Sequence, residues 1–280
     1  MGERIDAHHH MWRYSKEEYG WIGAGMEMIA RDFLPTDLQT ELRDCGVDGS
    51  VVVQARQSLE ETYWLLELAT NSPTIRGVVG WAPISDADFP RVLEKLKKQE
   101  KLKGLRHIIQ AEPDDEFILR DYFNARIAAL SGSGLVYEIL IYERHLPRAI
   151  KFVDRHPNQI FVLDHIAKPR IKDHVLEPWR SNLIELAKRE NVYCKLSGMV
   201  TEADWKNWNA TELQPYADAA LEAFAPRRLM FGSDWPVCLL AATYAKWLQT
   251  VQDFLGALSS SEKELVFGGV ASKVYSLEST

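Results

Sequence analysis

The chain has 280 residues, 46% hydrophobic and 26% charged, with 33 lysines and arginines against 40 acidic residues and a net charge of −7. That apolar share supplies a core and excludes a disordered chain. The acidic balance argues against nucleic acid as a partner. Three scattered cysteines, Cys45, Cys194 and Cys238, build no disulfide framework and point to a cytoplasmic setting. MGERIDAHHHMW does not read as a signal peptide, and Asp6 stands where a myristoylation signal wants Ser or Thr. No run of about 18 apolar residues is present to span a membrane.

Eight short apolar runs, β-branched or aromatic, recur along the chain: 4–7, 49–54 (GSVVVQ), 77–84 (GVVGWAPI), 104–110 (GLRHIIQ), 135–141 (LVYEILI), 160–165 (IFVLDH), 192–197 (VYCKLS) and 228–233 (RLMFGS). Each precedes a helix-patterned segment. In residues 35–45, Leu38 and Leu42 share a face, Thr36 and Gln39 suggest a capping box, and Gly46 marks the exit; a second such segment covers 60–69. Strands buried on both faces and alternating with helices imply a parallel sheet. Eight repeats in this length imply one α/β domain over 1–280, a closed (β/α)8 TIM barrel. An open doubly wound sheet is the rival, but no G-x-G-x-x-G or Walker-type loop follows any strand.

About forty residues separate the first two strands, far more than a βα unit needs. Trp12, Tyr14, Tyr19, Trp21, Ile22, Met26 and Met28 crowd this loop. It reads equally as a lid over a flat substrate and as a plug packed on the barrel.

A parallel barrel carries function at the C-terminal ends of its strands. The residues there are His8, His9 and His10; Gln54 and Arg56; Trp81; Arg106, His107 and Gln110; Glu138; Asp164 and His165; Lys195 and Ser197; and Ser233, Asp234 and Trp235. His8 and His10, two apart on an extended segment, point to one side as paired metal ligands must, and His9 points away. Asp234, ending an apolar strand, is costly to bury unless it binds a cation, is hydrogen-bonded or moves a proton. His165 gains weight only from that company. Arg106 and Lys195 either face a substrate, holding a carboxylate or polarising a carbonyl, or form ion pairs with Glu138 or Asp164. Cys194 and Cys238 read as structural thiols.

Taken in order, HHH, GLRHIIQ, FVLDHIAKP, CKLSG and FGSDWP resemble the amidohydrolase-2 branch of the amidohydrolase superfamily, above all its sugar-lactone hydrolases, the L-fuconolactonases and L-rhamnonolactonases. The resemblance covers nearly the whole chain. It implies a distorted barrel that opens a cyclic ester, with His8, His10, His165 and Asp234 at the metal and general-base positions. Asp234 and His165 are then the expected catalytic pair, serving one divalent ion, zinc or similar. The branch's mid-barrel ligand is not matched, which leaves Glu138 as a further metal candidate. Arg106, His107 and Lys195, with Gln54, Trp81, Trp235 and Trp12, make the expected substrate wall.

The expected reaction is attack of an Asp234- or metal-activated water on an aldonolactone, within a cytoplasmic protein that forms a homodimer or acts alone. Rival readings are hydrolysis of a carboxylated pyrone or muconolactone, metal-dependent decarboxylation of an aromatic acid, and a noncatalytic carbohydrate-binding barrel.

Overall fold

The apolar runs form eight parallel strands in sequential order: β1 Ile5–His9, β2 Gly49–Val53, β3 Ile75–Gly80, β4 Leu102–His107, β5 Val136–Ile139, β6 Phe161–Leu163, β7 Val192–Leu196 and β8 Leu229–Phe231. The computed structural model describes residues 2–278; Met1, Ser279 and Thr280 of the expected 1–280 domain lie outside the described residues. Helices α1 Pro35–Cys45, α2 Leu59–Asn71, α3 Phe89–Leu96, α4 Asp121–Ala128, α5 Leu146–Asp154, α6 Trp179–Ala187, α7 Ala210–Phe224 and α8 Tyr244–Phe254 flank the barrel. α3 shows the rule: Phe89, Val92, Leu93 and Leu96 are its buried residues, spaced to share one stripe. None of the described helices is long and apolar enough to cross a membrane.

Sequence and structure differ at element edges. α1 is not capped by Thr36 and Gln39; the Leu34 N–H donates to Asp37 Oδ2 at 2.9 Å. Gly46 does end it, at φ 64. β1 runs on to His9, so His8 lies within the strand and His10 just past it.

The barrel is nearly closed, because β8 and β1 meet through a parallel bridge at His9 and Trp235 and not through a ladder. Asp6 clips this seam. Its carboxylate accepts from the Ser233 N–H at 2.8 Å, the His8 N–H at 3.1 Å and the Tyr244 hydroxyl at 3.1 Å. The Asp234 N–H donates to His8 O at 2.8 Å and the His10 N–H to Trp235 O at 2.6 Å. One closure therefore brings both histidines beside Asp234.

Below the mouth, Ile5, Ala7, Val51, Val53, Val79, Val136, Val162 and Met230 pack against Val270, Ala271 and Tyr275 of the C-terminal segment. The Tyr275 hydroxyl reaches up to Glu138.

The long first loop divides its labour. At its base Trp12 and Phe33 exchange backbone hydrogen bonds of 3.1 and 2.9 Å, Trp12 is fully buried, and Tyr19 donates to Glu61 at 3.2 Å. Its middle differs: Trp21 is 43% exposed and, with Met26, lines a cavity at the strand ends.

Candidate active site

At the C-terminal mouth of the barrel lies a cavity of about 460 Å³, within the usual span of small-molecule sites. His10, Arg106, Gln110, His165, Lys168, Glu202 and Asp234 give it polar groups, while Trp21, Met26, Ile108, Leu140, Val237 and Leu240 give it apolar wall.

Four side chains converge beneath it. His8 Nε2 lies 3.2 Å from His10 Nε2, and Asp234 Oδ1 lies 3.3 Å from His10 Nε2, 3.8 Å from His8 Nε2 and 3.9 Å from His165 Nε2. His10 Nδ1 donates to Val53 O at 2.8 Å, which leaves the Nε2 lone pair facing the cluster. His165 Nδ1 lies 2.9 Å from Ser197 Oγ. Donor atoms of His8, His10 and Asp234 all fall within 4.8 Å of one another, as do those of His8, Asp164 and His165. Neutral imidazoles with one carboxylate oxygen are a borderline N/O set that fits a divalent ion.

Electrostatics support that donor state. Burial, reinforced by Lys195, keeps His8 well below the ordinary imidazole range, and burial pushes His165 down to about 4. Burial raises the Asp234 carboxyl, but His165 and His10 outweigh it and hold it below the ordinary range. His8 and His165 are uncharged and the Asp234 carboxylate is ionised.

Two local features aim these groups. His165, Ile166, Ala167 and Lys168 form a left-handed turn with φ between 48 and 61, a conformation that costs non-glycine residues about 1–3 kcal/mol each. It is tied by the Lys168 N–H to His165 O at 2.8 Å and by the Trp179 indole to Ile166 O at 2.7 Å. Gly198, at φ 65, sits against the His165 ring, where a Cβ would come within 2.5 Å of Nδ1.

Under the site runs a buried ionic chain. Lys195 Nζ donates to Glu138 Oε1 at 2.6 Å and to His8 Nδ1 at 3.0 Å, and lies 3.2 Å from Asp164 Oδ1. Arg106 Nη1 donates to Asp164 Oδ2 at 2.8 Å, and its Nη2 to Gln54 O.

Residues 5–277 match the family model described as Amidohydrolase. The chain belongs to this amidohydrolase family. An L-fucono-1,5-lactonase of Burkholderia multivorans is 42% identical over 98% of this chain and 96% of its own length. A second L-fucono-1,5-lactonase, of Burkholderia ambifaria, is 36% identical over 99% and 97%. The crystal structure of a Burkholderia multivorans amidohydrolase with bound zinc superposes with a TM-score of 0.96 at 41% identity, covering 99% of this chain and 100% of that one.

The structure places the sequence-selected residues in three groups. His8, His10, His165 and Asp234 form the cluster, and Arg106 reaches the cavity wall. Lys195 and Glu138 are fully buried below, joined to each other, so Lys195 does not line the cavity and Glu138 is not among the clustered donors. His107, Gln54, Trp81, Trp12 and Trp235 lie off the cavity wall. His107 stacks on Phe117 and lies 2.6 Å from Glu112; Gln54 donates to Arg106 O at 3.4 Å; Trp235 packs edge-on to Phe33. Sequence reasoning passed over Lys168, Glu202 and Tyr142. Lys168 stands inside the quoted FVLDHIAKP, but no periodicity announces a left-handed turn.

Proposed function

We propose that this amidohydrolase hydrolyses a sugar lactone, an aldonolactone of the L-fucono or L-rhamnono type, to the aldonic acid. Near-complete alignment with two L-fucono-1,5-lactonases supports the reaction. The observation that carries the substrate's charge is the pairing of the cavity cations: Arg106 is held by Asp164 at 2.8 Å and Lys168 lies 3.6 Å from Glu202, with Asp234 ionised beside them. A carboxylated lactone would bring a further anion to a wall whose cations are already matched, at a cost in desolvation and repulsion. A neutral, hydroxyl-rich ring has no such conflict.

Asp234, kept ionised, takes a proton from the attacking water. Arg106 turns its fixed positive charge toward the carbonyl oxygen as charge develops there. Lys195, buried under His8, cannot fill that role. His165, neutral and held by Ser197, hands the proton on to the ring oxygen as the C–O bond breaks. His8, His10 and Asp234 are the residues that would hold a zinc ion, whose Lewis acidity would lower the water's pKa.

The test is acid release from L-fucono- and L-rhamnonolactone above spontaneous hydrolysis, with a pyrone carboxylate alongside. Asp234→Asn is expected to lower kcat by about 10²–10⁴-fold. Full activity of Asp234→Asn, or turnover of the pyrone carboxylate alone, overturns the proposal.

A further inference from the structure

The cavity wall carries, besides Arg106, an ion pair that the hydrolytic step does not use. Lys168, last residue of the left-handed turn, and Glu202, on the Val200–Glu202 turn after β7, both line the cavity and are both half-buried. Their Nζ and Oε1 atoms stand 3.6 Å apart, beyond hydrogen-bond length. Among the described residues Glu202 is the one carboxylate within 4 Å of the Lys168 ammonium, which also lies 5.7 Å from the centre of the Tyr142 ring. The pair is charge-matched but hydrogen-bond-poor, with donors on one side and acceptors on the other. Trp205, its indole N–H fixed by Thr201 O at 2.9 Å, adds an aromatic face to the same wall.

We infer that Lys168 and Glu202 form the subsite that reads a hydroxyl of the lactone ring, and so set the preference for polyhydroxylated lactones. The inference rests on the sugar-lactone reading above. An oxygen about 2.8 Å from each atom fits across the gap, and the group there must accept from the ammonium and donate to the carboxylate. A hydroxyl does both. An ether oxygen satisfies Lys168 alone, and a carboxylate satisfies Lys168 while facing Glu202 with like charge. The ring face beside that hydroxyl is C–H rich, which suits the Trp205 ring. The left-handed turn sets Lys168 and His165 on one rigid segment, so the reader of the hydroxyl is registered against the group that serves the ring oxygen.

The experiment compares kcat/KM on L-fucono-1,5-lactone with that on δ-valerolactone, which has the six-membered ester ring and no hydroxyl, for wild type, Lys168→Met, Glu202→Gln and Lys168→Arg. Loss of a hydrogen bond to a charged group is expected to lower the sugar-to-valerolactone ratio about 10- to 100-fold in the Met and Gln variants, chiefly through KM. Lys168→Arg keeps the cation and is expected to recover part of the ratio. An unmoved ratio, or equal losses on both lactones, overturns the subsite while leaving the lactonase reading intact. A wild type that opens no sugar lactone overturns both.

Discussion

Lys195→Met isolates the buried ionic chain, since Met keeps most of the apolar stem and removes the charge. In the native protein Lys195 and Arg106 face Glu138 and Asp164, two cations to two carboxylates, all buried. Without Lys195, Asp164 keeps Arg106 at 2.8 Å, but Glu138 keeps only the Tyr275 hydroxyl. Stranding one charge of a buried pair costs about 3–5 kcal/mol. A cheaper route is protonation. Burial and Asp164 already push the Glu138 carboxyl up, and loss of Lys195 raises it further. Burial already raises that carboxyl to about 7 in the native protein, so at pH 7 taking up a proton costs far less than stranding the charge. A group with a raised folded-state pKa contributes stability below its unfolded value and loses it as pH rises. The variant's deficit therefore widens from pH 5 to pH 8. The variant also loses the charge-assisted hydrogen bond from Lys195 to Glu138, about 1.5–3 kcal/mol, and at about 2–4 °C per kcal/mol the melting temperature at pH 7 is expected to fall by roughly 3–12 °C. Tyr275→Phe removes a neutral donor from the same carboxylate and is expected to cost about 1 kcal/mol. Thermal melts of the three proteins at pH 5.5, 7 and 8 decide the matter: a Lys195→Met melt at the wild-type temperature, or a deficit no larger at pH 8 than at pH 5.5, refutes the reasoning.

Two further outcomes follow from the geometry. Gly198→Ala places a methyl 2.5 Å from His165 Nδ1 at a left-handed backbone position, so lactone turnover is expected to fall at least about tenfold for a stability loss of about 1–2 kcal/mol; steady-state kinetics beside a urea melt would expose an innocent substitution. Glu61, which accepts from the Ala55 and Arg56 N–H groups and from Tyr19, is raised by burial to about 7 from 4.5. Its contribution to stability is whole below pH 4.5 and is lost as pH climbs through 7, about 3 kcal/mol in all, so the stability gap between wild type and Glu61→Gln should change with that slope. A pH-independent gap would show that Glu61 does not titrate in this window.

What the sequence disclosed followed from periodicity. Alternation on a strand puts His8 and His10 on one side, and the eight-fold rhythm puts Asp234 and Arg106 at the same end of the barrel. Choosing between Lys195 and Lys168 was beyond it. Lys195 looks like a pocket residue because it closes an apolar strand, yet it precedes the last residue of β7, and its side chain is spent inside the barrel on Glu138, Asp164 and His8. Lys168 reaches the cavity because four consecutive residues adopt φ values that helix and strand patterns do not encode. The loop tryptophans divide for a similar reason: Trp12 is claimed by its bridge to Phe33, which frees Trp21 for the cavity.

The placement of charge suggests why the interior carries ions where a barrel of this size ordinarily packs hydrocarbon. Lys195 and Asp164 both touch His8 Nδ1, one at 3.0 Å and the other at 3.4 Å, so the ring whose Nε2 faces the cluster is gripped from below by groups of opposite sign. A hydrocarbon layer would fill the space as well and hold the ring by shape alone. An ionic layer also fixes its rotation, and it extends through Glu138 to Tyr275, so the C-terminal segment that closes the barrel floor contributes to the orientation of a histidine at the opposite end. The Lys195→Met and Tyr275→Phe melts measure that layer's stability, and the kcat of the same two proteins measures its aim. Loss of kcat in Tyr275→Phe beyond its small stability cost is the result that ties the floor to the site.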